Sequence, residues 1–221
     1  MDKTGQKNEQ ASKMPGSDST GTTLESKLEK LGSILDGYGK MTVALSGGVD
    51  SAFLLCFAYK KWHDDRIAAL TACGPHFAPD ETEYSAALCS RLGISHELIP
   101  VDHILPLIED NPVDRCYVCK KAIFSSIKKL TDEQGRVLAD GTNLDDMSDY
   151  RPGHKALQEL KIASPLKEAG LTKQEIRTAL HQLAESDPLI KQALTVPSPG
   201  CSIPVWEKPS FACLSSRIPY G

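Results

Sequence analysis

At 221 residues with 40% hydrophobic side chains, the chain is long enough for one substantial core and a small addition. Its net charge of -4 gives no electrostatic case for binding nucleic acid or an anionic membrane, and no apolar run approaches the ~20 residues of a spanning helix. Seven cysteines at irregular spacing make no disulfide framework, and the polar stretch from Met1 to Thr23 lacks a secretory apolar core, so a reducing, cytoplasmic setting is expected.

Residues 1–21 are rich in Ser, Thr, Gly, Lys and Gln without periodicity and are expected to form a disordered tail. Thr22 and Glu25 have capping-box spacing, and Leu24, Leu28, Leu31 and Leu35 form the stripe of a first helix that Gly37 and Gly39 end. Met41–Leu45 reads as a buried strand, followed by a Gly-Gly turn and a helix from Ser51 to Trp62. Ile67–Cys73 is a second strand; Asp80 and Glu83 signal the cap of a helix to Arg91; Ser95–Val101 is a third strand. Helices are expected near Ile104–Glu109 and over Tyr117–Leu130, a fourth strand at Val137–Ala139, a helix over His154–Leu160 and a short fifth strand at Ile162–Ser164. Thr172 and Glu175 form a second capping box, with Leu171 placed to staple onto Ile176. Prolines 188, 197, 199 and 204 interrupt regular structure beyond that helix, so 186–204 is expected to be an irregular insert after a domain spanning 22–185. The β-α-β-α-β order predicts right-handed crossovers and an open, mostly parallel, five-stranded α/β sheet with helices on both faces.

The chemistry centres on Leu45-Ser46-Gly47-Gly48-Val49-Asp50-Ser51. Adjacent glycines turn tightly and let a ligand approach the backbone, and the free N–H groups of a helix start suit a phosphate. The hydroxyls of Ser46 and Ser51 stand beside them. A carboxylate at Asp50 would repel phosphate unless it holds a metal, which points to Mg²⁺. The fourth strand ends in Asp140-Gly141-Thr142-Asn143-Leu144-Asp145-Asp146. Ligands in open α/β sheets bind beyond the carboxyl ends of strands, so both stretches should border one crevice. Gly141 and Asn143 are then nucleotide-contact candidates, and Asp140, Asp145 and Asp146 join Asp50 as candidates for Mg²⁺. Cys116-Tyr117-Val118-Cys119 has the reach to hold a metal or cluster or to act as a redox pair, with Cys213 as a third ligand candidate. Lys120, Lys121 and Arg217 are cations able to neutralise phosphate or a carboxylate; Arg151 and Lys155 are weaker candidates. Cys56, Cys73 and Cys89 read as small core residues, and His63, His96 and His181 as packing or surface groups.

These motifs resemble the LarE family of ATP-dependent sulfur transferases, within the ATP pyrophosphatase superfamily of adenine nucleotide alpha hydrolase-like, Rossmann-like fold. The resemblance rests on Leu45–Ser51, Asp114–Lys120, Asp140–Asp146, Arg151-Pro152-Gly153, Ser164-Pro165-Leu166, Leu171–Arg177 and Lys208–Gly221, with Ala212-Cys213-Leu214-Ser215-Ser216-Arg217 the most specific. It implies that ATP adenylates a carboxylate of a pyridinium dicarboxylate mononucleotide, pyrophosphate leaves, and sulfur enters as a thiocarboxylate in nickel-pincer cofactor synthesis. The implied catalytic set is Cys213, Lys121, Ser216 and Arg217. The sulfur comes either from Cys213, which becomes dehydroalanine, or from a sulfide on a [4Fe-4S] cluster held by Cys116, Cys119 and Cys213; the three cysteines together favour the cluster. The resemblance makes 205–221 the start of a substrate and sulfur-transfer segment, and puts homo-oligomer formation in a C-terminal region not represented after Gly221. Binding of ATP·Mg²⁺ with weak turnover is therefore expected. An ammonia-dependent synthetase of the NAD synthetase type and a non-catalytic nucleotide-binding remnant are the competing readings.

Overall fold

The computed structural model describes residues 23–195, apart from 75–76, 78, 109–113 and 148–151. The elements are α1 (Leu24–Tyr38), β1 (Met41–Ala44), α2 (Val49–Trp62), β2 (Ile67–Cys73), α3 (Pro79–Leu92), β3 (Ser95–Pro100), α4 (Leu105–Ile108), α5 (Arg115–Glu133), β4 (Val137–Ala139), α6 (Pro152–Glu159), α7 (Pro165–Ala169), α8 (Lys173–Ser186) and α9 (Pro188–Leu194). Short 3₁₀ turns lie at Asp102–Ile104 and Asp145–Met147. The strands run parallel in the order β3-β2-β1-β4.

Strand side chains alternate between two cores. On one face Met41, Val43, Ile67, Ala69 and Ala139 meet α1, α2, α3, α8 and α9; Leu31, Leu35, Phe53 and Leu54 are among the side chains enclosed there. On the other face Leu70 and Leu138 meet Ile123 and Ile127 of α5 and Ile104. Most of α2 is buried, which explains why its sequence is apolar nearly all round. Fully burying each of its large side chains contributes about 1.5–3 kcal/mol. Among the described residues no helix is long and apolar enough to cross a membrane.

Four of the expected strands coincide with the sheet; the fifth does not form. At Ile162–Ser164 only a single parallel bridge joins Ala163 to Ala139, because Pro165 starts α7 at once and a helix cannot share those residues with a strand. The segment expected to be irregular from 186 instead holds α9. Pro188 sits in its first turn, where a missing N–H is harmless, and Asp187 caps it by accepting from Leu189 and Ile190 N–H. The first helix is capped one residue later than expected, by Thr23 Oγ1 accepting from Ser26 N–H at 3.3 Å. The second capping box is present at the expected residues: Thr172 Oγ1 accepts from Glu175 N–H, and Glu175 Oε2 accepts from Thr172 N–H. Lys27 adds both carboxylate oxygens of Glu175 as partners, at 2.7 and 2.8 Å, fastening α1 to the start of α8.

Candidate functional site

The turn between β1 and α2 is closed by its own serines. Ser46 N–H donates to Ser51 Oγ at 3.3 Å, Ser51 Oγ donates to Gly48 C=O at 3.1 Å, and Gly48 N–H donates to Ser46 Oγ at 3.4 Å. Gly47 has φ +76, and a Cβ there would stand 3.1 Å from the carbonyl oxygen of Glu81 in α3. The first intrahelical bond of α2 runs from Ala52 N–H to Gly48 C=O, so the N–H groups of Val49, Asp50 and Ser51 lie ahead of it. These groups give the turn the donor geometry that binds anions.

The end of β4 is pressed onto that turn. A Cβ on Gly141 would lie 2.8 Å from Ser51 N and 3.1 Å from Ser51 Cα, so backbone meets backbone there. Asn143 Nδ2 donates to Asp50 Oδ2 at 3.2 Å. Burial raises the Asp50 carboxyl to about 6, and the neighbouring Asp146 carboxylate pushes in the same direction; Lys173, Asn143 and Arg177 oppose them. Lys173 Nζ pairs with Asp146 Oδ1 at 3.2 Å, and Lys173 N–H donates to Asp145 Oδ2 at 2.8 Å, which docks the first residue of α8 on the same turn. Asp140 is enclosed differently: its carboxylate accepts from Thr142 Oγ1, from Thr142 N–H at 3.3 Å and from Ser164 Oγ at 2.8 Å. It ties β4 to the start of α7.

Two neighbouring carboxylates can share a divalent cation, which would have to displace the Lys173 ammonium from Asp146. Among the described residues no three His, Cys, Asp or Glu side chains converge as a metal cage. Asp50 and Asp146 alone are too few ligands for Mg²⁺, which would need water and phosphate oxygens to complete its shell. Asp145, expected beside them, gives its carboxylate to the α8 N–H.

The thiols of Cys116 and Cys119 stand one turn apart at the start of α5, which begins at Arg115 rather than at Tyr117; Cys119 is buried and Cys116 half-buried. They are two of the three expected cluster ligands. Cys213, Ser216, Arg217 and Arg151 lie outside the described residues. The adjacent lysines part company. Lys121 Nζ is drawn to Glu159 Oε2 at 2.7 Å and Tyr117 Oη at 2.6 Å, on the solvent side of α5 and α6. The stem of Lys120 instead passes over Gly153 at the start of α6, where a Cβ would stand 2.7 Å from Lys120 Cδ.

Composition and spacing give no site role to Lys173, Ser164 or Thr71, although Ser164 and Lys173 lie in stretches that carry the resemblance. Lys173 sits just inside a recognised cap, which was the available signal. For Thr71, nothing local showed that its hydroxyl donates to Leu45 C=O at 2.8 Å, directly ahead of the Ser46–Ser51 turn. With its one proton so used, the Thr71 oxygen accepts from His96 Nε2 at 2.9 Å, and burial holds that imidazole below its usual proton affinity.

The NAD synthase family model matches residues 22–129. The chain is 36% identical over 200 residues to the uncharacterized protein slr1717 of Synechocystis sp., covering 90% of this chain and 68% of that one. It is 29% identical over 201 residues to pyridinium-3,5-bisthiocarboxylic acid mononucleotide synthase of Lactiplantibacillus plantarum, covering 90% of this chain and 66% of that one. In fold it is similar to glutamine-dependent NAD+ synthetase from Acinetobacter baumannii, with a TM-score of 0.61 at 17% identity over 76% of this chain and 34% of that one. The chain thus spans about two thirds of the length of both relatives and a third of the synthetase. A parallel sheet, a Gly-Gly turn closed by serines and a 36% match over 90% of its length all agree: the chain belongs to the family of slr1717, within the ATP pyrophosphatase superfamily of ATP-using enzymes.

Proposed function

We propose that this chain is the nucleotide-handling part of an enzyme that activates a carboxylate by adenylation. The observation that carries the reading is the junction of the Ser46–Ser51 turn with the Asp140–Asp146 turn, fastened by Gly141 against Ser51 and by Asn143 on Asp50. The N–H groups of Val49, Asp50 and Ser51 bind and orient the phosphates of ATP. Asp50 and Asp146 would hold Mg²⁺, which supplies charge neutralisation on the phosphates. An oxygen of the substrate carboxylate attacks the α-phosphorus, the bond to the β-phosphate oxygen breaks, and pyrophosphate leaves. The acyl-adenylate has AMP as leaving group, so an acceptor nucleophile attacks the acyl carbon and releases AMP.

The acceptor is the finer part of the proposal. The 29% identity to the bisthiocarboxylic acid synthase over 201 residues supports sulfur, installed on a pyridinium dicarboxylate mononucleotide. Its source would be Cys213, or a sulfide on a [4Fe-4S] cluster for which Cys116 and Cys119 stand at suitable spacing. A second reading is amide formation with ammonia, supported by the NAD synthase match over 22–129. The test is to incubate the chain anaerobically with ATP, Mg²⁺ and either the pyridinium dicarboxylate mononucleotide or a deamidated dinucleotide plus ammonia. AMP, pyrophosphate and a product that gains sulfur are expected with the former. An amide product establishes the second reading instead, and absence of AMP with both substrates overturns adenylation.

A further inference from the structure

Asn143 is fully buried, at 0% exposure, yet every part of it faces the junction. An asparagine amide offers two donor hydrogens and an oxygen with two lone pairs. Both lone pairs of Oδ1 are engaged, by Asp145 N–H at 2.9 Å and Asp146 N–H at 3.2 Å. Nδ2 donates to Asp50 Oδ2 at 3.2 Å, and the backbone N–H donates to Asp146 Oδ2 at 3.2 Å. One residue therefore grips both carboxylates of the crevice, each through Oδ2. The other oxygen of Asp146 meets Lys173 Nζ. A side chain so enclosed has no surface left to offer a nucleotide.

We infer that Asn143 is a positioning residue and makes no contact with the nucleotide: it sets the separation and orientation of the Asp50 and Asp146 carboxylates that receive the divalent cation carried by ATP. The inference rests on the adenylating reading and deepens it. The chemistry explains the residue type. An aspartate would lose the donor to Asp50 and add a third negative charge, while a glutamine would force an extra methylene into a space with no exposure. Fixing two like-charged ligands before the cation arrives needs a neutral group that both donates and accepts, and an amide is that group.

The test uses the full chain and reads equilibrium binding of a non-hydrolysable ATP analogue as Mg²⁺ is titrated, with the unfolding midpoint measured beside it. Asn143→Ser retains an oxygen for the turn N–H groups but cannot reach Asp50. The Mg²⁺ concentration for half-maximal binding should rise about tenfold, as when the partner of a metal ligand is removed. In an Asp50→Asn background the same change should have no further effect on the Mg²⁺ dependence, because the carboxylate through which it acts is gone. The exchange Asp50→Asn with Asn143→Asp preserves a hydrogen bond between the two positions. It should hold the unfolding midpoint near the parent's while leaving Mg²⁺ dependence impaired, which separates aiming a carboxylate from merely tying two turns together. Unchanged Mg²⁺ dependence in Asn143→Ser, an equal loss in both backgrounds, or full recovery in the exchange would each overturn the inference. A parent chain that binds no analogue at any Mg²⁺ concentration overturns the adenylating reading and the inference with it, and that outcome is visible before any variant is made.

Discussion

Two polar regions of the molecule differ in what water is allowed to do. At the junction of the Ser46–Ser51 turn with the end of β4, contacts are between buried and half-buried groups: Gly141 against the backbone of Ser51, Asn143 on Asp50, Thr142 and Ser164 on Asp140. Between α5 and α6, the exposed clasp of Tyr117, Lys121 and Glu159 has bonds of 2.6 and 2.7 Å, with Lys155 Nζ 5.7 Å from the Tyr117 ring. Short bonds occur in both regions, yet the junction has the larger consequences. Water replaces a lost partner at the clasp, whereas at the junction a lost partner leaves a buried group unsatisfied or a backbone displaced.

The largest effect is expected at Gly141. A Cβ at Gly141 would stand 2.8 Å from Ser51 N, closer than real Cβ atoms come, and the obstructing atoms are backbone and cannot rotate away. Gly141→Ala must therefore move either the end of β4 or the first turn of α2. Overpacking of this kind costs about 1–3 kcal/mol, and on the adenylating proposal displacing the Ser46–Ser51 turn by even part of an ångström should weaken ATP binding by roughly tenfold or more. Thermal unfolding and nucleotide titration check both. A variant with parental binding and stability would show that the two turns are not held in fixed register.

Asp50 gives a smaller effect with a pH signature. Its carboxyl stands at about 6 in the folded chain against its usual 3.8, so between these values the folded state binds more protons than the unfolded one. Stability then falls as pH rises through that window, and the ionised carboxylate is a net cost above about 6. Asp50→Asn should raise stability at neutral pH by on the order of 2 kcal/mol, with the gain shrinking as pH falls and gone below about pH 4, while half-maximal nucleotide binding needs more Mg²⁺. Unfolding midpoints of parent and variant from pH 4 to 8 decide it; parallel curves would mean that burial and Asp146 do not strain Asp50.

What could be read from the sequence divides along the same line as the contacts. The β1 strand, the Gly-Gly turn and the start of α2 were legible because an apolar run, the glycines and Asp50 are contiguous. The Thr172–Glu175 box was legible because both halves lie within one turn. The fifth strand was not, since Ile162–Ser164 has strand-like composition and only the immediate start of α7 at Pro165 denies it length. In the sequence the prolines after 186 read as breakers, though Pro188 is compatible with a first helical turn. The Asn143 network joins residues that are local, at 145 and 146, to one that is distant, Asp50. Neither half shows in the spacing, which marks Asn143 only as a residue at the end of β4. Nor can sequence say which of Lys120 and Lys121 faces inward, because neighbours on a helix point about 100° apart and the rotation is fixed by packing, here by Gly153.

The clasp should give the smallest effect, and it sharpens the contrast most cheaply. Hydrogen bonds from Lys121 to Glu159 and Tyr117 raise the proton affinity of the lysine and lower that of Glu159, yet both side chains stand in solvent. Screening by water and ions weakens such an arrangement, and holding three side chains together costs rotamer freedom. Lys121→Met, which keeps the stem over the Tyr117 ring and removes the charge, should lower the unfolding midpoint by no more than about 2 °C, and the difference should vanish in 1 M salt. The short distances would then report favourable geometry at the surface rather than stored stability. A loss as large as that of Gly141→Ala, persisting in salt, would instead mean that α5 and α6 depend on the clasp for their register and that the two regions are not energetically distinct.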